Sequence, residues 1–335
     1  MFKKLMHKFS KEELRKTYNF EDRNAFLFCY LIVLLPLIFF CVFFVYVNID
    51  QIFQAFTLQH EDGTRYFTWQ NFKDVFNEFG PNATRMTGDG KVMNLWEVEW
   101  RSIQLYLIGW IFAFPGYLSC YVLFKKCWGH YAFRTIFMIP NVLGGMTMVM
   151  IYKYMVTVNG PIFNLAKSLL GSLPPDALNK GLLGSEQTAW TTLLCIKFLP
   201  HIIGFNIVQT GAYARIPEEL FEVGKLDGLG FIREFWTIAT PLTWSTMAIG
   251  FTTGIAAIFT GDCGVFLYTE GQNGTATMGF YIYWQTYQIS GAGGGVYRPV
   301  YGYPAALGLL LTCATIPLVV LMRKLCDKLV ETIAY

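Results

Sequence analysis

The feature that most constrains this chain is an uninterrupted apolar run from Ala25 to Val47. A helix rises about 1.5 Å per residue, so the run is long enough to cross a hydrocarbon core of about 30 Å. It is too long for the apolar part of a signal peptide, and it contains no small-residue cleavage site. The run therefore predicts a membrane-spanning helix.

Five more apolar runs of comparable length follow the first. They cover residues 102–124, 132–156, 188–210, 241–261 and 303–322. With 54% hydrophobic and only 15% charged residues, the chain has the composition of a membrane protein. The sequence therefore predicts an all-α membrane protein with six transmembrane helices and a short extra helix in the external segment 48–100.

The distribution of Lys and Arg indicates how these helices are oriented. The two ends of the chain and the connections 125–134 and 211–240 carry about twice as many basic residues as the other connections, and basic connections stay in the cytoplasm. Both termini are therefore expected to be cytoplasmic. The expected organisation is an amphipathic segment over 1–23, a six-span domain over 24–325 and a cytoplasmic tail over 326–335.

One cytoplasmic connection, residues 211–240, is unusually charged and helix-forming, and we call it the charged loop. Its first helix is expected to begin at Pro217, because the fixed φ of proline suits a first helical turn. Carboxylates stabilise the positive end of a helix. Those near this end are Glu218, Glu219 and Glu222.

The second half of the charged loop is expected to contain a sharp turn and another helix. Asp227 and Gly228 offer the positive-φ positions that end one helix, and a second helix is predicted over 231–238, stopped by Pro241. Apolar side chains beside the acidic ones would let the first helix lie in a groove on another protein. They are Leu220, Phe221, Val223 and Leu226. An ordinary surface helical hairpin is the alternative.

The charged loop resembles the EAA loop of the permease subunits of binding-protein-dependent ABC importers. The residues at the family spacing are Glu222, Val223, Gly224, Gly228, Ile238 and Pro241. Two alanines of the family are replaced by Val223 and Gly224, so we expect a looser helix around Gly224. The resemblance implies that the loop docks on separate ATPase subunits. The implied ATPase-coupling residues are Glu218, Glu219, Glu222, Gly224, Asp227 and Gly228.

Other segments are similar to the maltose-type carbohydrate importers within that family. They are Thr68–Phe76, Phe133–Pro140, Gly160–Asn164 and Gly302–Ala306. The resemblance implies a bacterial cell membrane, a second, non-identical permease, two ATP-binding cassette subunits and an extracytoplasmic sugar-binding protein. The external turn reads Glu270-Gly271-Gln272 where the family usually has Gly-Gly-Pro, which puts its contact with the binding protein in question.

No pattern in the chain predicts chemistry of its own. Nucleotide-binding, hydrolase and zinc-protease motifs are absent from the sequence, and the four histidines are scattered. The eight cysteines form no CxxC pair and are interpreted as small buried hydrophobes. A net charge of +3 does not indicate nucleic acid. We expect no enzymatic activity and no cofactor in this chain, with ATP bound by separate subunits.

Polar residues within the apolar runs are the remaining candidates, because ionisable groups in a membrane usually face the bundle interior. Lys197 and His201 lie four apart and share a helical face, and Asn206 follows on the same predicted span. These residues are candidates for lining a substrate path together with Asp262. Alternatively, Lys197 forms an ion pair with Asp262 or with an acidic residue of the partner permease.

The sequence thus favours a permease subunit of an ATP-driven sugar importer. Two alternatives remain. An ABC permease for a non-sugar solute would share the charged loop without the flanking motifs. A secondary transporter would have no reason for the EAA spacing and should contain internal repeats, which are not visible in this sequence.

Overall fold

The computed structural model describes residues 23–59, 64–80, 83, 94–127, 129–202, 206–261, 264–291 and 301–333. Helices dominate these residues, and the sheet within them has two short antiparallel strands, β1 (Thr57–Gln59) and β2 (Arg65–Phe67). The prediction of an all-helical protein is confirmed in this sense. The predicted N-terminal amphipathic segment lies outside the described residues except at its last position.

The helices are as follows in chain order. They are α1 (Arg23–Phe39), α2 (Val47–Ala55), α3 (Gln70–Glu78), α4 (Leu95–Phe124), α5 (His130–Val142), α6 (Gly145–Val156), α7 (Pro161–Leu170), α8 (Pro175–Lys180), α9 (Glu186–Ile202), α10 (Ile207–Tyr213), α11 (Glu218–Leu226), α12 (Phe231–Glu234), α13 (Thr240–Ala257), α14 (Val265–Tyr268), α15 (Met278–Gly291) and α16 (Gly302–Ile333). Two π-helices, Phe40–Tyr46 and Phe235–Ala239, join α1 to α2 and α12 to α13.

Three helical stretches of the described residues are long and apolar enough to cross a membrane. They are Phe28–Ala55, Leu95–Phe124 and Gly302–Leu329. A fourth is added if α5 and the helices after it, which meet at a bend of 97°, count as one broken span. The described residues therefore contain three or four candidate membrane spans by length and composition, whereas the count of six remains a prediction.

Two of the expected spans are interrupted. The run 132–156 divides into α5 and α6, because Leu143 and Gly144 are extended and the following Gly145 adds little helix propensity. The run 188–210 divides into α9 and α10, and α10 starts afresh after Asn206. Each of these runs was predicted as one span, and each consists of two helices in the structure.

The last helix is longer than its apolar run. The prediction placed a span at 303–322 and a tail at 326–335, but α16 continues without a break to Ile333. Its far end packs against α13, where the indole N–H of Trp244 donates a hydrogen bond to the carbonyl of Cys326 at 3.2 Å. The described residues of the expected tail therefore belong to the helical bundle.

The contact between α4 and α13 includes small residues. Gly250 and Gly254 lie one turn apart on α13 and face Tyr117 and Tyr106 of α4. The Tyr106 hydroxyl donates a hydrogen bond of 3.1 Å to the carbonyl of Phe251, which occupies the same stretch of α13. The two glycines leave room for these tyrosine rings, so α4 contacts α13 here through tyrosine side chains.

The segment 48–100, predicted to be external, carries the short helix that the sequence predicted. This helix, α3, is held to the end of α2 by Asn71, whose amide nitrogen donates to the carbonyls of Ala55 and Thr57 at 3.0 Å each. Asn71 is almost fully buried. The segment that resembles the sugar-importer motif therefore has a structural role, which is to fix α3 against the end of α2.

Gly160, in the Gly-Pro pair that starts α7, generates a prediction about packing. A Cβ atom there would overlap the backbone carbonyl oxygens of Met155 and Tyr154 at the end of α6. Gly160→Ala should therefore destabilise the protein by about 1–3 kcal/mol, measured as a lower thermal midpoint in detergent.

The control for this prediction is Gly144→Ala. Gly144 precedes α6 with nearly the same backbone angles as Gly160, but a Cβ atom on it would meet nothing within 4 Å. Its midpoint should match that of the wild type. Equal midpoints for the two variants would contradict the packing argument.

Candidate functional site

The charged loop folds as two helices, α11 and α12, joined at a tight turn. Gly228 lies just beyond the end of α11 with φ of +72°. The N–H groups of Leu229 and Gly228 bond to the carbonyls of Gly224 and Lys225 at 2.9 and 3.1 Å. These two bonds form a Schellman motif, which satisfies carbonyls that a helix end otherwise leaves free. The predicted turn at Asp227 and Gly228 is present.

Gly224 makes the contact between the two halves of the loop close. It is buried, and a Cβ atom on it would lie 2.8 Å from Cδ1 of Ile238 and 3.2 Å from Cδ1 of Leu229. The expectation of a looser helix around Gly224 is therefore wrong. The missing side chain is used for packing, since Ile238 and Leu229 fill the space beside the helix.

The second helix does not stop at Pro241. Helix α12 passes through the π-helix Phe235–Ala239 directly into α13, in which Pro241 occupies the first turn. Proline lacks an N–H donor and disturbs a regular α-helical ladder. A π-helical turn changes the ladder just before the proline, so the chain continues as a helix where the sequence predicted an end.

The outer face of the charged loop is both acidic and apolar. Its exposed side chains include Glu218, Glu219, Leu220, Glu222, Val223, Leu226, Asp227 and Ile232. Leu226 is 87% exposed, which is unusual for a leucine at a helix end. All of these acidic residues and three of the four apolar residues predicted as contact area on α11 therefore face outward.

Phe221 is the exception, because it points into the protein. It is only 5% exposed and lies 5.9 Å from the ring of Phe124 at the end of α4, measured between ring centroids. Tyr121 of α4 lies 5.3 Å from Phe235 in the same cluster. Sequence periodicity assigned Phe221 to a partner surface, and this was wrong because the end of α4 covers that side of α11.

A buried ion pair completes this attachment. Glu234 of α12 is 5% exposed, forms a salt bridge with Lys125 just after α4, and accepts a hydrogen bond of 2.6 Å from the Tyr121 hydroxyl. The Lys125 ammonium also lies 3.7 Å from the ring centroid of Phe221. One cation thus contacts both helices of the charged loop. The sequence analysis missed this cluster, although a carboxylate at 234 beside an aromatic pair was a visible signal.

The surroundings of Glu234 set its charge. Burial alone would raise the pKa of this carboxyl, but hydrogen bonds from Lys125 and Tyr121 outweigh that effect and hold the pKa below its ordinary value. A depressed folded-state pKa contributes stability above the ordinary carboxyl pKa, and this contribution is lost as the pH falls through the depressed value. Glu234 is therefore ionised at neutral pH.

Lys197 is half-buried on α9, and its side chain reaches toward α14 and the glycine that precedes it. Its ammonium lies 6.0 Å from the ring centroid of Tyr268 and 3.2 Å from the position that a Cβ atom on Gly264 would occupy. His201 has a helical backbone in α9, but its side chain lies outside the described part of the structure, as does Asp262. The four path candidates therefore remain predictions, apart from the position of Asn206.

Asn206 has a local structural role. Its side-chain oxygen accepts hydrogen bonds from the N–H groups of Val208 and Gln209 at 3.0 and 3.2 Å, so it is the N-cap of α10. The sequence analysis placed Asn206 on the same helix as Lys197, and this was wrong, because Lys197 is in α9 and Asn206 precedes α10. Among the described residues, no three His, Cys, Asp or Glu side chains are grouped as metal ligands would be.

The fold is shared with two solved chains. One comes from a crystal structure of a bacterial ABC transporter involved in the import of the acidic polysaccharide alginate, with a TM-score of 0.69, 14% identity and coverage of 92% of this chain and 98% of that chain. The other comes from a bacterial alginate ABC transporter in complex with a periplasmic protein bound to alginate pentasaccharide, with a TM-score of 0.68, 15% identity and coverage of 93% and 98%. The chain therefore has the fold of an ABC importer permease.

Sequence similarity to curated proteins identifies the class of permease more specifically than the fold does. The multiple sugar-binding transport system permease MsmF of Streptococcus mutans is 24% identical over 88% of this chain and 94% of its own length. The maltose/maltodextrin permease MalF of Escherichia coli is 24% identical over 72% of the chain, and a probable ABC transporter permease of Bacillus subtilis, YurN, is 23% identical over 57%. The resemblance to sugar ABC permeases is confirmed.

The extent of these matches varies among the relatives. The matched residues span 62% of the Bacillus subtilis protein and 46% of MalF, which is less than two thirds of either relative. No protein-family model matches the chain.

Gly228 gives a prediction about the turn of the charged loop. A Cβ atom on Gly228 would meet nothing within 4 Å, so its positive φ is the only obstacle to a side chain. Gly228→Ala should cost about 1–2 kcal/mol of local stability, because L residues are strained in this region. The expected result is faster protease cleavage between α11 and α12.

Gly230→Ala is the matched control for Gly228→Ala. Gly230 lies two residues further along with φ of −72°, and its Cβ position is equally open. Cleavage should proceed as in the wild type. If both variants were cleaved at the same rate, the Schellman turn would not hold the loop.

Proposed function

We propose that this protein is a transmembrane permease subunit of an ATP-driven sugar importer, and that its charged loop couples the permease to ATPase subunits. The observation that carries the proposal is the construction of the loop. Its buried side is fixed to the end of α4 by an ion pair and aromatic rings, while its outer side presents carboxylates beside exposed leucine and valine side chains. Such a helix suits a groove on another protein.

Coupling requires that a partner hold the loop differently in two states. A ligand or partner shifts a conformational equilibrium only through its differential affinity for the two states. Closure of an ATPase dimer around the outer face of α11 would provide that difference. In this proposal the chain contributes the charged loop and its attachment to α4, and ATP is bound by the separate subunits.

The other partners are proposed from the relatives and from the apolar surface. They are a second, non-identical permease, two ATP-binding cassette subunits and an extracytoplasmic sugar-binding protein, in agreement with the periplasmic protein bound to one of the two solved transporters. No side chain from Phe28 to Phe53 is buried within this chain, so we propose that lipid or another subunit covers this apolar stretch.

The proposed topology has six spans in a bacterial cell membrane with both termini cytoplasmic. It rests on the basic residues at the ends of the chain and in the connections 125–134 and 211–240. In this orientation the charged loop lies on the side where ATP is available. Helix α3 and the turn at Glu270-Gly271-Gln272, after α14, lie on the opposite side, where a binding protein would dock.

Glu222 tests the coupling proposal. It is exposed on α11. Glu222→Lys should lower the sugar transported per ATP by at least about tenfold, because it reverses a charge in the contact with the ATPase. The measurement is uptake and ATP hydrolysis by the purified complex in proteoliposomes.

Glu97→Lys is the control, since Glu97 is an exposed glutamate in the first turn of α4, at the opposite end of that helix from the charged loop. It should leave the ratio unchanged. A wild-type ratio for Glu222→Lys would contradict the coupling role. Uptake by the wild type that survives removal of ATP and collapses with a proton ionophore would instead indicate a secondary transporter.

Lys197 and His201 are proposed to line the substrate path, with an acidic saccharide as cargo. Support comes from their shared helical face, the half-buried position of Lys197 and the acidic polysaccharide named for the neighbouring structures. A buried cation attracts uronate groups, whereas a neutral sugar needs only stacking and amide hydrogen bonds. Of Lys197 and His201, only Lys197 has a side chain in the described part of the structure, so the test is made at Lys197.

Lys197→Met should reduce uptake of a uronate-containing oligosaccharide while the complex still assembles. Lys167→Met, which removes an exposed lysine from α7, is the control and should transport as the wild type. If Lys197 instead serves to pair with Asp262, the single change should lower the yield of complex, and adding Asp262→Leu should restore it. Full uptake of the acidic cargo by an assembled Lys197→Met complex would contradict the path role.

A further inference from the structure

The ion pair between Lys125 and Glu234 is more than a means of stabilising the loop. Aromatic rings already attach the loop to α4, with Phe221, Tyr121 and Phe235 all at most 5% exposed. A buried ion pair contributes little net stability, because desolvation offsets its attraction and apolar residues of similar size often serve as well. Its geometry, by contrast, is fixed and directional. The pair therefore calls for a role in which position matters.

The pair also connects elements that the chain itself leaves separate. Residues Lys125 and Glu234 are 109 positions apart, and α12 is continuous in sequence with α13 but not with α4. The connection from α12 to α13 is a π-helix, a rare form that occurs mostly as a single turn inside α-helices and frequently at functional sites. Along the chain, α12 is linked to α13 by this segment, so a contact between α12 and α4 is a second, independent attachment.

Lys125 makes that second attachment to both loop helices. Its ammonium is bonded to the Glu234 carboxylate of α12 and lies over the ring of Phe221 of α11, while Tyr121 of α4 donates to the same carboxylate. Apolar contacts between helices permit small sliding movements. A carboxylate held between an ammonium and a hydroxyl opposes such sliding, because any shift leaves a buried charge incompletely bonded.

We infer that Lys125, Glu234 and Tyr121 are positioning residues that clamp the charged loop to α4, so that movement of the loop is transmitted to α4 as well as to α13. The tyrosine contacts of Gly250 and Gly254 then keep α4 and α13 together deeper in the bundle. This inference rests on the proposed coupling function. It assigns a role to three residues that neither the EAA spacing nor the exposed face includes.

The test is the sugar transported per ATP by purified complex in proteoliposomes. Glu234→Gln keeps the size of the side chain and an acceptor for Tyr121 but removes the ion pair. The complex should assemble, and the ratio should fall about fivefold or more, which is the lower end of typical coupling between sites. Lys125→Met should behave in the same way.

Two matched controls accompany these variants. Lys126→Met removes the exposed cation next to Lys125, and Arg233→Gln removes the exposed cation next to Glu234. Both should keep the wild-type ratio, since neither residue takes part in the clamp. A wild-type ratio in an assembled Glu234→Gln complex would overturn the inference.

A double variant separates the clamp from simple stability. Lys125→Met with Glu234→Leu replaces the pair by apolar side chains and should restore assembly wherever a single variant loses it. Its ratio should stay low, because an apolar contact can slide. Exchange of the charges, Lys125→Glu with Glu234→Lys, should recover part of the ratio. A double apolar variant with the wild-type ratio would show that the pair serves only packing.

The proposed function and the clamp can fail independently in this experiment. If the wild-type complex shows no ATP-dependent uptake, the importer assignment is contradicted. If the wild type is coupled and Glu222→Lys lowers the ratio but Glu234→Gln does not, the loop couples without a clamp. If Glu222→Lys and Glu234→Gln both lower the ratio, movement is transmitted from the outer face of α11 through Lys125 to α4.

Discussion

The structure depends on one constraint, which is that backbone N–H and C=O groups in an apolar setting must be satisfied within the protein. Each place where a helix of this chain ends or changes has a local solution. Asn206 caps α10 with its side chain, Gly228 closes α11 with a Schellman motif, and a π-helical turn precedes Pro241. The charged loop can therefore lie between apolar helices without leaving its helix ends unpaired.

That constraint also helps to explain why the charged loop is a rigid part of the structure. Its turn is closed by backbone bonds, its interior is filled by Ile238 against Gly224, and its attachment to α4 contains an ion pair and several aromatic rings. In the proposed coupling, the charged loop can transmit movement only if it is more rigid than the segments around it. The exposed acidic and apolar face is then free for a partner, while the buried face determines which helices follow.

The amino-acid sequence by itself determined the class of the protein and much of the loop. Apolar run length indicated membrane-spanning helices, since burial of about 20 apolar residues has few other solutions. The turn at Gly228 followed from local chemistry, because few residues other than glycine accept positive φ. The spacing from Glu222 to Pro241 carried the resemblance to ABC importer permeases, and the relatives and the fold agree with it.

Only the tertiary structure decided which side of each helix is covered. Phe221 looked like part of a partner surface until the end of α4 occupied that side, and Lys125 and Glu234 meet although they are far apart in the chain. Periodicity reports which residues share a face, but not what the face contacts. Pairing between distant residues depends on how helices pack, and packing is a property of the whole bundle. The contact between Lys125 and Glu234 therefore could not be predicted before the fold was known.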